Sequence, residues 1–208
     1  MKECGMARLM SAVGTGAVLD VETTGLNGRS DEIIELAITL FRYGRVDGRV
    51  RDVIAEYSGL REPSCPIPRC ASMVHGITRR MVRGLRLDYR RIRAMLRQAE
   101  FVVAHCAAFD RSFVERLMPS SRRAKWLCSR DGIDWRAKGF ETRSLEDLAL
   151  SHDIENPLPH RANGDVATLL ALLSYRPRYR KPYLQELLRN ADLLTKHRPT
   201  ETQLKSRP

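Results

Sequence analysis

Residues 17–26 read AVLDVETTGL and residues 33–41 read IIELAITLF. In the first, the short apolar run Ala17-Val18-Leu19 passes directly into two acids, Asp20 and Glu22, and then into the turn Thr24-Gly25-Leu26-Asn27-Gly28. A run this short, closed by a glycine-bearing turn, reads as a buried strand over Ala17–Val21. Alternate residues of a strand share a face, so Asp20 and Glu22 point the same way. Paired carboxylates are unfavourable in a core and well suited to a cation. D-x-E alone would equally describe a strand end facing water. The threonines and tight turn that follow add hydroxyls and backbone N–H groups that suit a phosphate or sugar.

The rest of the chain builds outward from this strand. Ile33–Phe41 is a second strand, and Gly44 and Gly48 flank a hairpin to a third at Val50–Tyr57. Pro63, Pro66 and Pro68 mark a loop before a helix over Arg69–Val74 that stops at Gly76. Asp88 caps a helix running to Gln98, with Ile92, Met95, Leu96 and Ala99 as its apolar stripe. A strand at Phe101–His105, a helix at Phe109–Leu117 and a short strand at Trp126–Ser129 follow. Ser144 and Asp147 give Ser144–Leu150 the form of a capped helix. Residues 161–174 form an apolar helix, and Pro182–Leu194 an amphipathic one opened by proline. A three-strand meander followed by strand–helix alternation predicts an α/β protein with a mixed five-stranded sheet flanked by helices.

Three more chemistry-bearing residues stand at the edges of these elements. Asp110 follows the apolar strand VVA at the first turn of a helix, where an acid also complements the helix dipole. Asp165 interrupts the otherwise apolar helix of Ala162, Val166, Leu169, Leu170 and Leu173, and an acid near a buried face needs a partner. Gly164 beside it costs about 1 kcal/mol of helix stability relative to alanine, which close approach of another backbone would explain. His160 precedes the helix and, as a neutral imidazole, can accept a proton. His152 competes for that role but lies thirteen residues before Asp165. Four acids converging on one point repel each other unless cations bind; two divalent ions clamping a phosphate are the usual resolution.

The chain of 208 residues carries a formal charge of +11, which favours polyanionic partners, nucleic acid first and an anionic membrane second. The excess is local. Residues 78–97 hold Arg79, Arg80, Arg83, Arg86, Arg90, Arg91, Arg93 and Arg97 against Asp88, and residues 175–208 hold nine lysines and arginines against three acids. Both segments are expected to hold a nucleic-acid backbone. Five scattered cysteines with no paired framework point to a reducing compartment, and with no apolar run long enough to span a bilayer, a cytoplasmic protein without membrane contact is expected. Cys65, Cys70 and His75 match no zinc spacing.

In order, DVETTGL, DEIIELAI, VHGIT, VVAHCAAFD and HRANGD resemble the signature of DnaQ-like 3′–5′ exonucleases of the DEDDh type, a family that includes the proofreading ε subunit of bacterial DNA polymerase III. The resemblance spans roughly residues 16–175. It implies an RNase H-like (exonuclease) fold, two Mg²⁺ or Mn²⁺ ions, and release of nucleoside 5′-monophosphates from 3′ ends. By family role, Asp20, Glu22, Asp110 and Asp165 hold metal and His160 is the general base. Arg161 stands where the sister subtype has tyrosine. Thr23, Leu26 and His75 match substrate-contacting positions, with Leu26 resembling a wedge against the terminal base. Cys106 stands where the family usually has asparagine, and Cys70 where the polymerase subunit has an acid.

The implied organisation is a flexible lead-in at 1–15, the exonuclease domain at 16–176 and a basic C-terminal helix and tail at 177–208. The expected substrate is a single-stranded or frayed 3′ end of DNA, with a DNA polymerase subunit as a candidate partner. The alternatives are an exoribonuclease of the same family and a noncatalytic, polymerase-associated binding module. Metal-dependent release of mononucleotides separates the binding module from both enzymes.

Overall fold

The computed structural model describes residues 12–178 and 180–196. Its sheet is built from β1 (Val13–Thr23), β2 (Ile33–Gly44), β3 (Val50–Leu60), β4 (Phe101–Ala104) and β5 (Trp126–Cys128), in the order β3-β2-β1-β4-β5. The first three strands pair antiparallel, and β1–β4 and β4–β5 pair parallel. The mixed five-stranded α/β sheet is therefore as the sequence reads.

β1 starts earlier than expected, at Val13 rather than Ala17, so residues 13–15 belong to the sheet and not to a lead-in. The glycines that read as looseness have a packing reason. A Cβ on Gly14 would lie 2.5 Å from the Tyr43 ring, and one on Gly16 2.7 Å from Phe41 and Phe101. Those three rings stack edge-on with centroids 5.2–6.5 Å apart, an arrangement that adds to their burial. Residues 1–11 and 197–208, which hold the rest of the expected lead-in and tail, lie outside the described residues.

The helices are α1 (Arg69–His75), α2 (Arg79–Val82), α3 (Tyr89–Gln98), α4 (Ala107–Leu117), α5 (Ser129–Gly132), α6 (Leu145–Leu150), α7 (Ala162–Ser174) and α8 (Tyr183–Lys196). The expected caps form. Asp88 accepts from the Arg91 N–H at 3.0 Å, and Ser144 from the Asp147 N–H at 3.1 Å. Gly76 closes α1 at φ 71°, a left-handed conformation that glycine adopts without penalty.

Two cores sandwich the sheet. Ala17, Leu19 and Val21 pack with α3 and α4 through Ile92, Met95, Leu96, Phe113 and Val114. Val18 and Ala37 pack on the other side with α7 and α8 through Val166, Leu169, Leu172, Leu184 and Leu187. Strand alternation then sets the site. Asp20 and Glu22 share the parity of Val18 and so face α7. The start of α8 is thus part of the main core. No helix among the described residues is long and apolar enough to cross a membrane.

Candidate active site

The site lies where β1 ends. Asp20 and Glu22 come from one face of β1, and Asp165 from the first turn of α7, which packs on that face. One carboxylate oxygen from each of the three fits within 4.8 Å of the others. Asp110 arrives from the first turn of α4, buried at 2% exposure, with the Val21 N–H favouring its charged form. Its charge is the largest one acting on Asp20. Four acids from three elements therefore meet at one end of the sheet.

Their electrostatics follow from crowding. Burial, and then Asp110, Glu22 and Asp165, push the Asp20 carboxyl well above the usual range. Burial, followed by Asp165, Glu35 and Asp110, raises Glu22 to about 8. Burial raises Asp110 as well, against the two backbone N–H groups that favour its charged form. Asp165 is raised by burial and partly relieved by the Asn156 amide, 2.7 Å away, and by His160. The set is rich in oxygen donors and short of positive charge, which is the chemistry of a divalent-cation site.

His160 is exposed, at φ 56°, and its backbone N–H favours the charged form of Asp165. A left-handed histidine is strained and needs its surroundings to hold it. The holding group is the loop before α7. A Cβ on Gly164 would lie 2.3 Å from the Leu158 carbonyl oxygen and 3.0 Å from the Asn156 side chain. This is the close backbone approach that the glycine suggested. His152 is not at the site. It is buried, its Nδ1–H donates to the Leu148 carbonyl at 2.5 Å, and its Nε2 accepts from the Tyr183 hydroxyl at 2.8 Å.

The other sequence candidates divide. Leu26 projects from the turn at 87% exposure. Thr23 and Thr24 are buried. Thr23 donates to the Gly25 carbonyl at 2.6 Å, and Thr24 accepts from the Glu32 N–H at 2.9 Å, so both brace the turn internally. His75 is buried too, and its Nδ1 accepts from the Ile77 N–H at 3.0 Å. Burial pushes its pKa down, so the ring is neutral with its proton on Nε2. Cys106 lies against Arg130 at 3.5 Å, while Cys70 is exposed; the four described cysteines are free. The arginine helix α3 lies on the face of the sheet opposite Asp20 and Glu22, not beside them.

One site residue escaped the sequence reading. Glu35 on β2, 2% exposed, pairs in register with Glu22. It accepts from Arg161 Nε at 3.0 Å and Nη2 at 2.7 Å, and from the Ala162 N–H at 3.0 Å. This clamp ties the start of α7, and so His160 and Asp165, to the strand beside Glu22. Glu35 stands inside the quoted DEIIELAI motif as an acid in an apolar strand, which was the available signal.

A family model described as exonuclease matches residues 17–173. The chain belongs to the exonuclease family. The resemblance read from the motifs is thus borne out. A DNA polymerase III PolC-type protein of Thermotoga petrophila is 35% identical over 133 residues, 63% of this chain and 9% of that protein. The chain thus spans about a tenth of the length of that relative. E. coli exonuclease I in complex with a dT13 oligonucleotide superposes with a TM-score of 0.67 at 16% identity, covering 93% of this chain and 46% of that one. Exonuclease X in complex with 5′ overhanging duplex DNA gives 0.55 at 24% identity, covering 90% and 95%. These likenesses establish the RNase H-like fold of the exonucleases.

Proposed function

We propose that this chain is a metal-dependent 3′–5′ exonuclease that releases nucleoside 5′-monophosphates, with DNA as the principal substrate. The observation that carries the reading is the convergence of Asp20, Glu22 and Asp165 within 4.8 Å, with Asp110 acting on Asp20 from α4, in a chain of the exonuclease family. Asp20, Glu22, Asp110 and Asp165 would hold two Mg²⁺ or Mn²⁺ ions, which when bound would supply charge neutralisation at the scissile phosphate and a lowered pKa for the attacking water. DNA is favoured over RNA because the PolC-type relative is a DNA polymerase protein and the structural neighbours were solved with DNA.

The chain's own groups do the rest. His160, exposed at the mouth of the site, accepts the proton of the attacking water. Water attacks phosphorus, the bond to the departing 3′-oxygen breaks, and that oxygen takes a proton to become the new 3′-hydroxyl. Leu26, apolar and exposed on the turn that follows β1, packs against the terminal base. The Glu35–Arg161 clamp keeps His160 and Asp165 in register with β1.

The test is parallel digestion of 5′-labelled DNA and RNA oligonucleotides with Mg²⁺, Mn²⁺ or EDTA, alongside Asp110→Ala. Stepwise shortening from the 3′ end, stopped by EDTA and by the substitution, is the expected result. Binding without hydrolysis under every metal condition would overturn the reading and leave a noncatalytic binding module.

A further inference from the structure

The helix α3 presents Arg90, Arg93 and Arg97 at i, i+3 and i+7, a spacing that puts them on one stripe. Its other face is buried through Ile92, Met95 and Leu96. Beyond its C-terminus lies the 3₁₀ turn Pro119–Arg123, which leads into β5. Between them is a cavity of about 360 Å³ lined by Arg93, Arg97, Arg123, Lys125, Ser120 and Glu100 among others. Guanidinium groups from two separate elements thus converge on one concavity.

The pairing pattern separates this cluster from the β2–β3 hairpin. On the β2–β3 hairpin the chain laces its arginines with acids: Arg42 with Asp52, Arg45 with Glu100, and Arg49 and Arg51 with Asp47. Among the described residues, Arg93, Arg97 and Arg123 have no such carboxylate partner. The one acid lining the cavity, Glu100, is already held by Arg45 and by the Tyr43 hydroxyl at 3.1 Å. Lys125 reaches Asp192 at 3.4 Å. The cavity is left strongly positive, with forked donors of the shape that phosphate accepts.

Its location sets it apart from the acids. The Glu100 N–H donates to the Thr15 carbonyl, which places the cavity at the start of β1, on the α3 face. Asp20 lies five residues along that strand, about 16 Å away, and faces the other side. A phosphate held here is therefore not the phosphate being cut.

We propose that Arg93, Arg97 and Arg123 form a second nucleic-acid site, which grips the phosphate backbone of the substrate several nucleotides from the 3′ end held at the acids. The proposal rests on the nuclease reading for the identity of the polyanion. Arginines at this site lengthen the contact with long strands and leave the chemistry untouched. Each phosphate contact contributes a slope of roughly 0.7–0.9 in log K against log salt, so three arginines account for about two to three.

The test uses the full chain carrying R93Q/R97Q/R123Q, with R93K/R97K/R123K as a charge-retaining control. Equilibrium binding of a single strand of about 20 nucleotides is measured against salt in EDTA, where no turnover occurs. Hydrolysis of a trinucleotide is measured separately with Mg²⁺. The glutamine variant should lose about two to three from its salt slope, the lysine variant should keep its slope, and both should cleave the trinucleotide as the parent does. An unchanged slope in the glutamine variant overturns the proposal. So does loss of binding to anionic lipid vesicles with unaltered binding to the oligonucleotide, which would make this a membrane-facing surface. If the parent cleaves no oligonucleotide, the nuclease reading fails, yet the slope comparison still decides whether this cluster binds nucleic acid.

Discussion

Replacing Glu22 with glutamine should stabilise the metal-free protein in alkaline buffer and change little in acid. Burial, then Asp165, Glu35 and Asp110, raise the Glu22 carboxyl from 4.5 to about 8, while the unfolded chain returns it to its ordinary value. Between those two values the folded state holds a proton that the unfolded state has released, so stability falls as pH rises. Below about 4.5 both states are protonated, and the favourable contribution is fully present. Above about 8 both are ionised, and it has been lost. A gap of about 3.5 pH units at 1.36 kcal/mol each sets a ceiling near 5 kcal/mol. The site is partly open, and water entering it reduces the penalty, so about 1–3 kcal/mol is the expected size. Glutamine keeps the shape and removes the charge, and it also relieves Asp20, which Glu22 pushes upward. The assay is urea unfolding in EDTA at about pH 5 and about pH 8.5, repeated with Mg²⁺. The parent should lose stability with pH in EDTA and recover it with Mg²⁺; Glu22→Gln should show a shallower loss and a smaller recovery. Equal pH dependence in the two proteins, or a variant less stable than the parent at pH 8.5 without metal, would refute the picture of mutually repelling buried acids.

Three further outcomes follow from the same geometry. His160→Ala should lower the single-turnover rate by roughly 10²–10⁴ with little change in oligonucleotide affinity, since a general base acts in the transition state; an active His160→Ala beside an inactive, folded His152→Ala would reverse the choice of histidine. Glu35→Gln breaks a buried bidentate pair and leaves Arg161 partly buried without a countercharge, so urea unfolding should show a loss of about 3 kcal/mol, with kcat falling more than KM rises. Gly164→Ala should destabilise the protein despite a helix-propensity gain of about 1 kcal/mol, because the new Cβ meets the Leu158 carbonyl; a thermal melt at or above that of the parent would show that the loop bearing His160 yields freely.

The sequence by itself determined what depends on neighbours along the chain. Alternation put Asp20 and Glu22 on one face, Asp88 and Ser144 announced their helices, and Gly76 ended α1. Five ordered motifs were enough for the family. What the tertiary structure decided were the pairings between distant segments. Glu35 and Arg161 are separated by 126 residues, and no local pattern marks them as one clamp. Gly14 and Gly16 read as a loose start because the rings that cover them come from β2 and β4. His160 was the histidine the motif favoured, but what occupies the competing His152 came only with the fold, where Tyr183 on α8 closes over it. The arginines of α3 counted only as charge in the sequence. Which face of the sheet they occupy was set by the parity of β1 and by the side on which Ile92, Met95 and Leu96 found their core. Secondary structure and motif chemistry are written in short-range order, whereas the face a charge occupies depends on which buried surfaces meet.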